Sequence, residues 1–219
     1  MFLGHFGLAY AAKRAAPAAS LGSLFFAAQL ADLVWPLLLL VGVEHAEVTH
    51  GATPQLNLVF TDYPWTHSLA TQCALGALLG ALYFLRRRRA RAALLLGLLV
   101  PSHWLLDWFV HVPDLPLYPS EIARHGLGLW QSLPVTLVAE FALFAIGTAI
   151  YLRFTRARDG VGRWASWGLI AFLVLGYLAS VFGSAPPNIT ALAYSALIMW
   201  LLPPWAAWAD RHRVSRSTQ

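Results

Sequence analysis

Six apolar stretches, each long enough to cross a membrane, constrain this chain more than any other feature. They run about Gly22–Val43, His67–Leu85, Ala92–Val112, Leu127–Phe154, Trp164–Phe182 and Ile189–Ala209. A helix needs about 20 residues to span the hydrocarbon core, and only helices or closed barrels satisfy their backbone polar groups there. Only 11% of the 219 residues are charged, where a soluble domain carries about 25%. The expected fold is therefore all-α: a polytopic transmembrane helix bundle of about six spanning helices, one transmembrane domain over residues 1–219. The opening MFLGHFGLAYAAKR is too short to span, and its charges follow its apolar part. It reads as a short N-terminal half-span or interfacial helix, not a secretory signal.

The basic residues set the orientation. Lys13 and Arg14, the cluster from Arg86 to Arg91, Arg153 to Arg163, and Arg211 to Arg216 all fall on one side of a six-span chain. The opposite connections hold Glu44, Glu47, Asp62, Asp114 and Glu121, with Arg124 as their only Lys or Arg. By the positive-inside rule both termini are cytoplasmic. The net charge of +5 thus reports topology, not nucleic-acid binding, and the bilayer is the first partner. Oligomeric state leaves no trace in the pattern. The loop from Glu44 to Trp65 is the longest outer connection and is placed to cover part of a site. Pro36 is expected to kink or break the first span close to Asp32. The single cysteine, Cys73, excludes an internal disulfide and reads as packing within an apolar run. Asn188-Ile189-Thr190 matches a glycosylation acceptor, a motif too short to carry weight.

The chemistry concentrates in SHWLLDWFVHVPDLPLYP, Ser102 to Pro119. His103, Asp107 and His111 recur every fourth residue, which stacks them on one face of a helix. An imidazole and a carboxylate one turn apart can share a divalent cation, the geometry that makes i, i+4 His pairs zinc ligands. A structural ion pair is the competing reading. His67 opens the second span at its outer end, within reach of His103 and Asp107. Asp62 is a candidate acceptor for its ring. Asp32 lies near the middle of the first span, where a lone carboxylate costs about 2.5–3.5 kcal/mol. A bound metal or a proton would relieve that cost. His5 precedes Lys13 by eight residues, about 12 Å along a helix. That puts it at the depth of Asp32 but some 15 Å from His67 by the same arithmetic, a gap that tilt or a break must close. His111 and Asp114 sit at the outer helix end as a rim, with Pro113 between them. Glu140 is a fourth-span carboxylate with no evident partner. His45, His50, His125 and His212 fall in loops or the tail.

These pieces, in this order, resemble the bacterial multi-pass inner-membrane proteins known as membrane-bound metal-dependent hydrolases. The matching segments are Gly4-His5, the run Ala27-Ala28-Gln29-Leu30-Ala31-Asp32, and Thr66-His67-Ser68-Leu69. They continue with His103 and Asp107, then Asp114-Leu115-Pro116-Leu117-Tyr118-Pro119. They cover the first ~120 residues, and the last three spans match only in hydropathy. The resemblance implies a bacterial inner membrane and a metal held by His5, Asp32, His67, His103 and Asp107. One departure stands out. The family shows Pro-Asp-Xaa-Asp after the first His, whereas this chain reads Ala31-Asp32-Leu33-Val34 with one carboxylate fewer.

The leading expectation is an integral-membrane metallohydrolase. Imidazole and carboxylate ligands without thiolate suit Zn²⁺, with Mn²⁺ a second choice. Asp32 and Asp114 are the candidates for general base. A site in the outer half of the bilayer favours a lipid or lipid-linked substrate, a phosphoester among the candidates, although Arg124 is the only arginine in the outer loops to hold a phosphate. The alternatives are a metal-ion or proton transporter and a non-enzymatic subunit of a membrane complex. Intramembrane Asp and His mark ion paths equally well.

Overall fold

The computed structural model describes residues 1–216. The chain is an all-α bundle. Five helices, or six if one bent pair counts as a single span, are long and apolar enough to cross a membrane. The helices are α1 (Leu3–Ala15), α2 (Leu21–Ala28), α3 (Leu30–Leu40), α4 (Pro64–His67), α5 (Leu69–Arg87), α6 (Ala90–Val110), α7 (Leu133–Phe154), α8 (Gly160–Phe182), α9 (Ile189–Ala196) and α10 (Leu202–Arg211). A 3-10 stretch, Leu197–Leu201, joins the last two. Together Ile189–Arg211 pass as one membrane-length helix. Pro203 and Pro204 open α10, where a missing N–H costs least.

The N-terminal segment is the centre of the bundle. Leu3, Phe6, Ala9 and Tyr10 of α1 are all but inaccessible to solvent, and α1 packs against α2, α6, α7 and α8. A side chain on Gly147 of α7 would overlap the carbonyl of Gly7, so the two helices touch backbone to backbone. No side chain of its own caps α1. Glu140 of α7 does so instead, accepting from Phe2 N at 2.8 Å and Gly4 N at 2.9 Å. The fourth-span carboxylate without an evident partner thus satisfies two otherwise orphaned donors.

The first span breaks, but not where its proline predicts. α2 and α3 bend by 55° at Gln29, and Pro36 sits inside α3. At the break the Ala28 carbonyl accepts from His103 Nδ1 at 2.9 Å, so a partner on α6 takes a carbonyl from the helical ladder. The second span is also divided. Pro64–His67 form a separate turn, and Ser68 then caps α5 through Thr71 N.

The connection after α3 contributes the one element absent from the all-α expectation at this end. β1 (His45–Val48) pairs antiparallel with β2 (Leu58–Asp62), and the hairpin lies over the mouth of the bundle, as the length of that loop suggested. A second small pair, β3 (Thr155–Ala157) with β4 (Arg213–Ser215), closes the opposite end. There Lys13 Nζ meets Asp210 Oδ2 at 2.6 Å, and Tyr151 Oη donates to Asp210 Oδ1 at 3.1 Å. The basic groups therefore gather at the end away from the hairpin. Between the two ends lies an aromatic core of Phe6, Tyr10, Phe25, Phe144 and Tyr151. Cys73 is exposed on α5 and does not pack in the core, because α5 turns most of its surface outward.

Candidate metal centre

Each residue of the centre arrives on a different local device. His103 and Asp107 stand one turn apart on α6. His5 is carried by the first turn of α1, just past the two amides that Glu140 holds. Asp32 is in the first turn of α3, just beyond the Gln29 break. His67 ends the α4 turn. The bend and the buried α1 bring His5, Asp32, His67, His103 and Asp107 into one cluster, which closes the depth gap the sequence had posed.

Asp107 is the hub. Its Oδ1 lies 3.1 Å from His5 Nε2 and also binds the Met1 amino group. Its Oδ2 lies 3.1 Å from His103 Nε2, 3.8 Å from His111 Nε2 and 4.0 Å from His67 Nε2. Asp32 Oδ1 is 3.4 Å from His67 Nε2 and 3.6 Å from His103 Nε2. The His5 and His103 rings stack at 3.8 Å. All of these groups are buried except the Asp32 side chain, which is 25% exposed.

Outer partners fix the tautomers. A carbonyl only accepts, so His103 carries its hydrogen on Nδ1, toward Ala28. Its Nε2 is buried and makes no hydrogen bond. In the neutral ring that lone pair faces two carboxylates, an arrangement that calls for a cation or a shared proton between them. His67 repeats the pattern. Thr66 Oγ1 donates to Glu44 Oε2 at 2.7 Å and accepts from His67 Nδ1 at 2.7 Å, leaving Nε2 toward Asp32. Glu44 also takes the Thr66 amide at 2.8 Å, and burial pushes its carboxyl up despite those bonds. His111 is the third case. Its Nδ1 bonds Asp114 Oδ1 at 2.8 Å, which Tyr63 Oη also donates to at 2.8 Å. Burial first, and then the Asp114 charge, push the Tyr63 hydroxyl up, so it stays a donor.

Two sets of three have ligand atoms within 4.8 Å of one another: His5, His103 and Asp107, and Asp32, His67 and His103. Ligands bound tetrahedrally at about 2.0–2.2 Å stand roughly 3.3–3.6 Å apart, close to the 3.1–3.6 Å seen between these imidazoles and carboxylates. The donor set and the unbonded His103 Nε2 both fit a divalent cation.

Several side chains stand elsewhere than their spacing suggests. Asp62 is exposed and does not orient His67; Glu44 and Thr66 do. Asp114 meets the cluster only through His111, which is itself buried against Asp107 rather than lying on an open rim. Gln72, which the sequence did not single out, ties the site together. Its Nε2 donates to the Thr66 carbonyl at 3.0 Å, and its Oε1 accepts from Trp104 N at 3.1 Å. A polar residue within an apolar run was its only sequence signal. His45 and His50 are exposed, whereas His125 and His212 pair at the surface with Glu121 and Asp159.

Fold and site together define an all-α bundle of membrane-length apolar helices that encloses a buried histidine–carboxylate cluster under a β-hairpin. No family model, curated protein or solved structure matches the chain.

Proposed function

We propose that this protein is a membrane-embedded metal-dependent hydrolase. It resides in a bacterial inner membrane with both termini in the cytoplasm, and acts on a lipid or lipid-linked substrate near the outer face. The observation that carries the reading is His103. Its hydrogen is committed to the Ala28 carbonyl, and its unbonded Nε2 stands between Asp107 and Asp32. His5, His67, His103, Asp32 and Asp107 would hold Zn²⁺, or Mn²⁺ as the second choice. A divalent cation there would supply a water of lowered pKa and polarise the bond to be cleaved.

The chain's own residues have separate duties. Glu44 and Thr66 aim His67, the Ala28 carbonyl aims His103, and Asp114 with Tyr63 aims His111. Asp32 is the partly exposed member and faces the adjoining cavity, which suits it to accept a proton from water. Asp114 sits behind His111 and serves better as a positioning residue than as the base. Transport is the weaker alternative: the ionisable cluster lies at one end, and the aromatic core fills the bundle toward the basic end. The test is hydrolysis by purified protein before and after chelation. Activity lost on chelation, restored by Zn²⁺ or Mn²⁺ and absent in His103→Ala supports the reading. Activity indifferent to both contradicts it.

A further inference from the structure

The cavity beside the cluster speaks to the substrate, an inference that rests on the hydrolase reading above. We propose that the site cleaves a carboxylic acyl bond, an ester or an amide, in an uncharged lipid, and not a phosphoester. The cavity measures about 220 Å³ and reaches from Asp32 and Asp107 to the apolar wall formed by Leu192 and Met199. Its charged lining residues are Asp32, Asp107 and Glu140 against the Met1 amino group, with no Lys or Arg side chain among the described residues. One divalent cation brings that lining to neutrality. No guanidinium or lysine ammonium faces the cavity to hold a phosphate, as arginine or lysine ordinarily does.

The neutral polar groups point the same way. Trp35 and Gln55 both line the cavity and are more than nine-tenths buried. Trp35 Nε1 is a donor without an acceptor. Gln55 Nε2 is engaged with Tyr177 Oη at 3.2 Å, and its Oε1 has no donor. Buried polar atoms are rarely left unpaired. One donor and one acceptor match the carbonyl oxygen and N–H of an amide, or the carbonyl oxygen of an ester with a hydroxyl on the neighbouring carbon. The acceptor would repel a phosphate oxygen. In the reaction, water oxygen bonds to the acyl carbon. The carbon–oxygen or carbon–nitrogen bond breaks with its electron pair passing to the leaving atom. That atom takes up the water proton by way of Asp32, giving a carboxylic acid and an alcohol or amine.

The test compares 4-nitrophenyl dodecanoate with dodecyl 4-nitrophenyl phosphate, using the full chain purified in detergent and loaded with Zn²⁺. The ester is expected to be cleaved and the phosphate left intact. Trp35→Phe should raise KM for the ester, and Gln55→Ala KM for N-(4-nitrophenyl)dodecanamide, whose N–H supplies the donor, each about three- to tenfold, the worth of one neutral hydrogen bond, with bound zinc unchanged. Preferential cleavage of the phosphate overturns the acyl assignment and leaves the hydrolase reading standing. So does bound zinc without ester cleavage, or an unchanged KM in both variants. Failure to bind zinc or manganese at all overturns both.

Discussion

His103 Nδ1 donates to the carbonyl of Ala28 at 2.9 Å, across the contact between α6 and the broken first span. One hydrogen bond thus sets the tautomer of a candidate ligand and marks the point where the first span turns. The two roles are inseparable, because the bend places Asp32 opposite the Nε2 lone pair that the bond leaves free.

His67 depends on its outer partners in the same way. Thr66→Val removes the hydroxyl that accepts from Nδ1, and Glu44→Ala removes the carboxylate behind it. Both are expected to weaken metal affinity about 10–100-fold, the usual range for outer-shell partners of a ligating histidine. Thr66→Ser should restore it. Chelator competition reads the affinity, and an unchanged value in Thr66→Val would count against the Glu44–Thr66–His67 chain.

Glu140→Ala should destabilise the fold. Two buried amides, of Phe2 and Gly4, lose their acceptor, and each buried unpaired donor costs about 1–3 kcal/mol. Thermal unfolding in detergent should show a clear drop, smaller in Glu140→Gln, which keeps one acceptor oxygen. A melting temperature equal to wild type in Glu140→Ala would show that the cap contributes nothing.

Gly147→Ala places a methyl against the Gly7 carbonyl and should push α1, and His5 with it, away from α7. Overpacking of this kind costs about 1–3 kcal/mol. Gly176→Ala is the control, since nothing lies within 4 Å of the added atom. The first variant should lose both stability and metal, and the second neither. Melting curves and metal content together check the pair.

Asp159 gives a pH dependence at the basic end. The Gly162 amide, then the His212 imidazole, hold its carboxyl below the ordinary value of 3.8. A folded-state value that is lowered adds stability above the unfolded value, and that stability is lost as pH falls through the folded one. Asp159→Ala should therefore melt earlier than wild type at neutral pH. The difference should shrink as pH drops through 3.8 and below. A difference that stays constant over that range would exclude the carboxylate as its source.

Much of this was legible in the sequence because the membrane makes it so. Apolar length and arginine placement gave the helices and the common basic end. The cost of burying Asp32, Asp107 and three imidazoles marked those residues before any fold was known. What stayed hidden depends on long-range partners. Glu140 is recognisable as a cap only once α1 lies beside α7, and Glu44 as a partner of Thr66 only once the hairpin folds over α4. The bend at Gln29 was invisible for the same reason. Pro36 was the local signal, but the break falls where the Ala28 carbonyl turns to His103.

The central claim is that these side chains hold a metal. Elemental analysis of protein purified from cells supplied with zinc and manganese tests it most directly, comparing wild type with His103→Ala and Asp107→Ala. Bound divalent metal in the wild type, lost from both variants at matched folding by circular dichroism, is the predicted result. Equal metal content in all three would contradict the account.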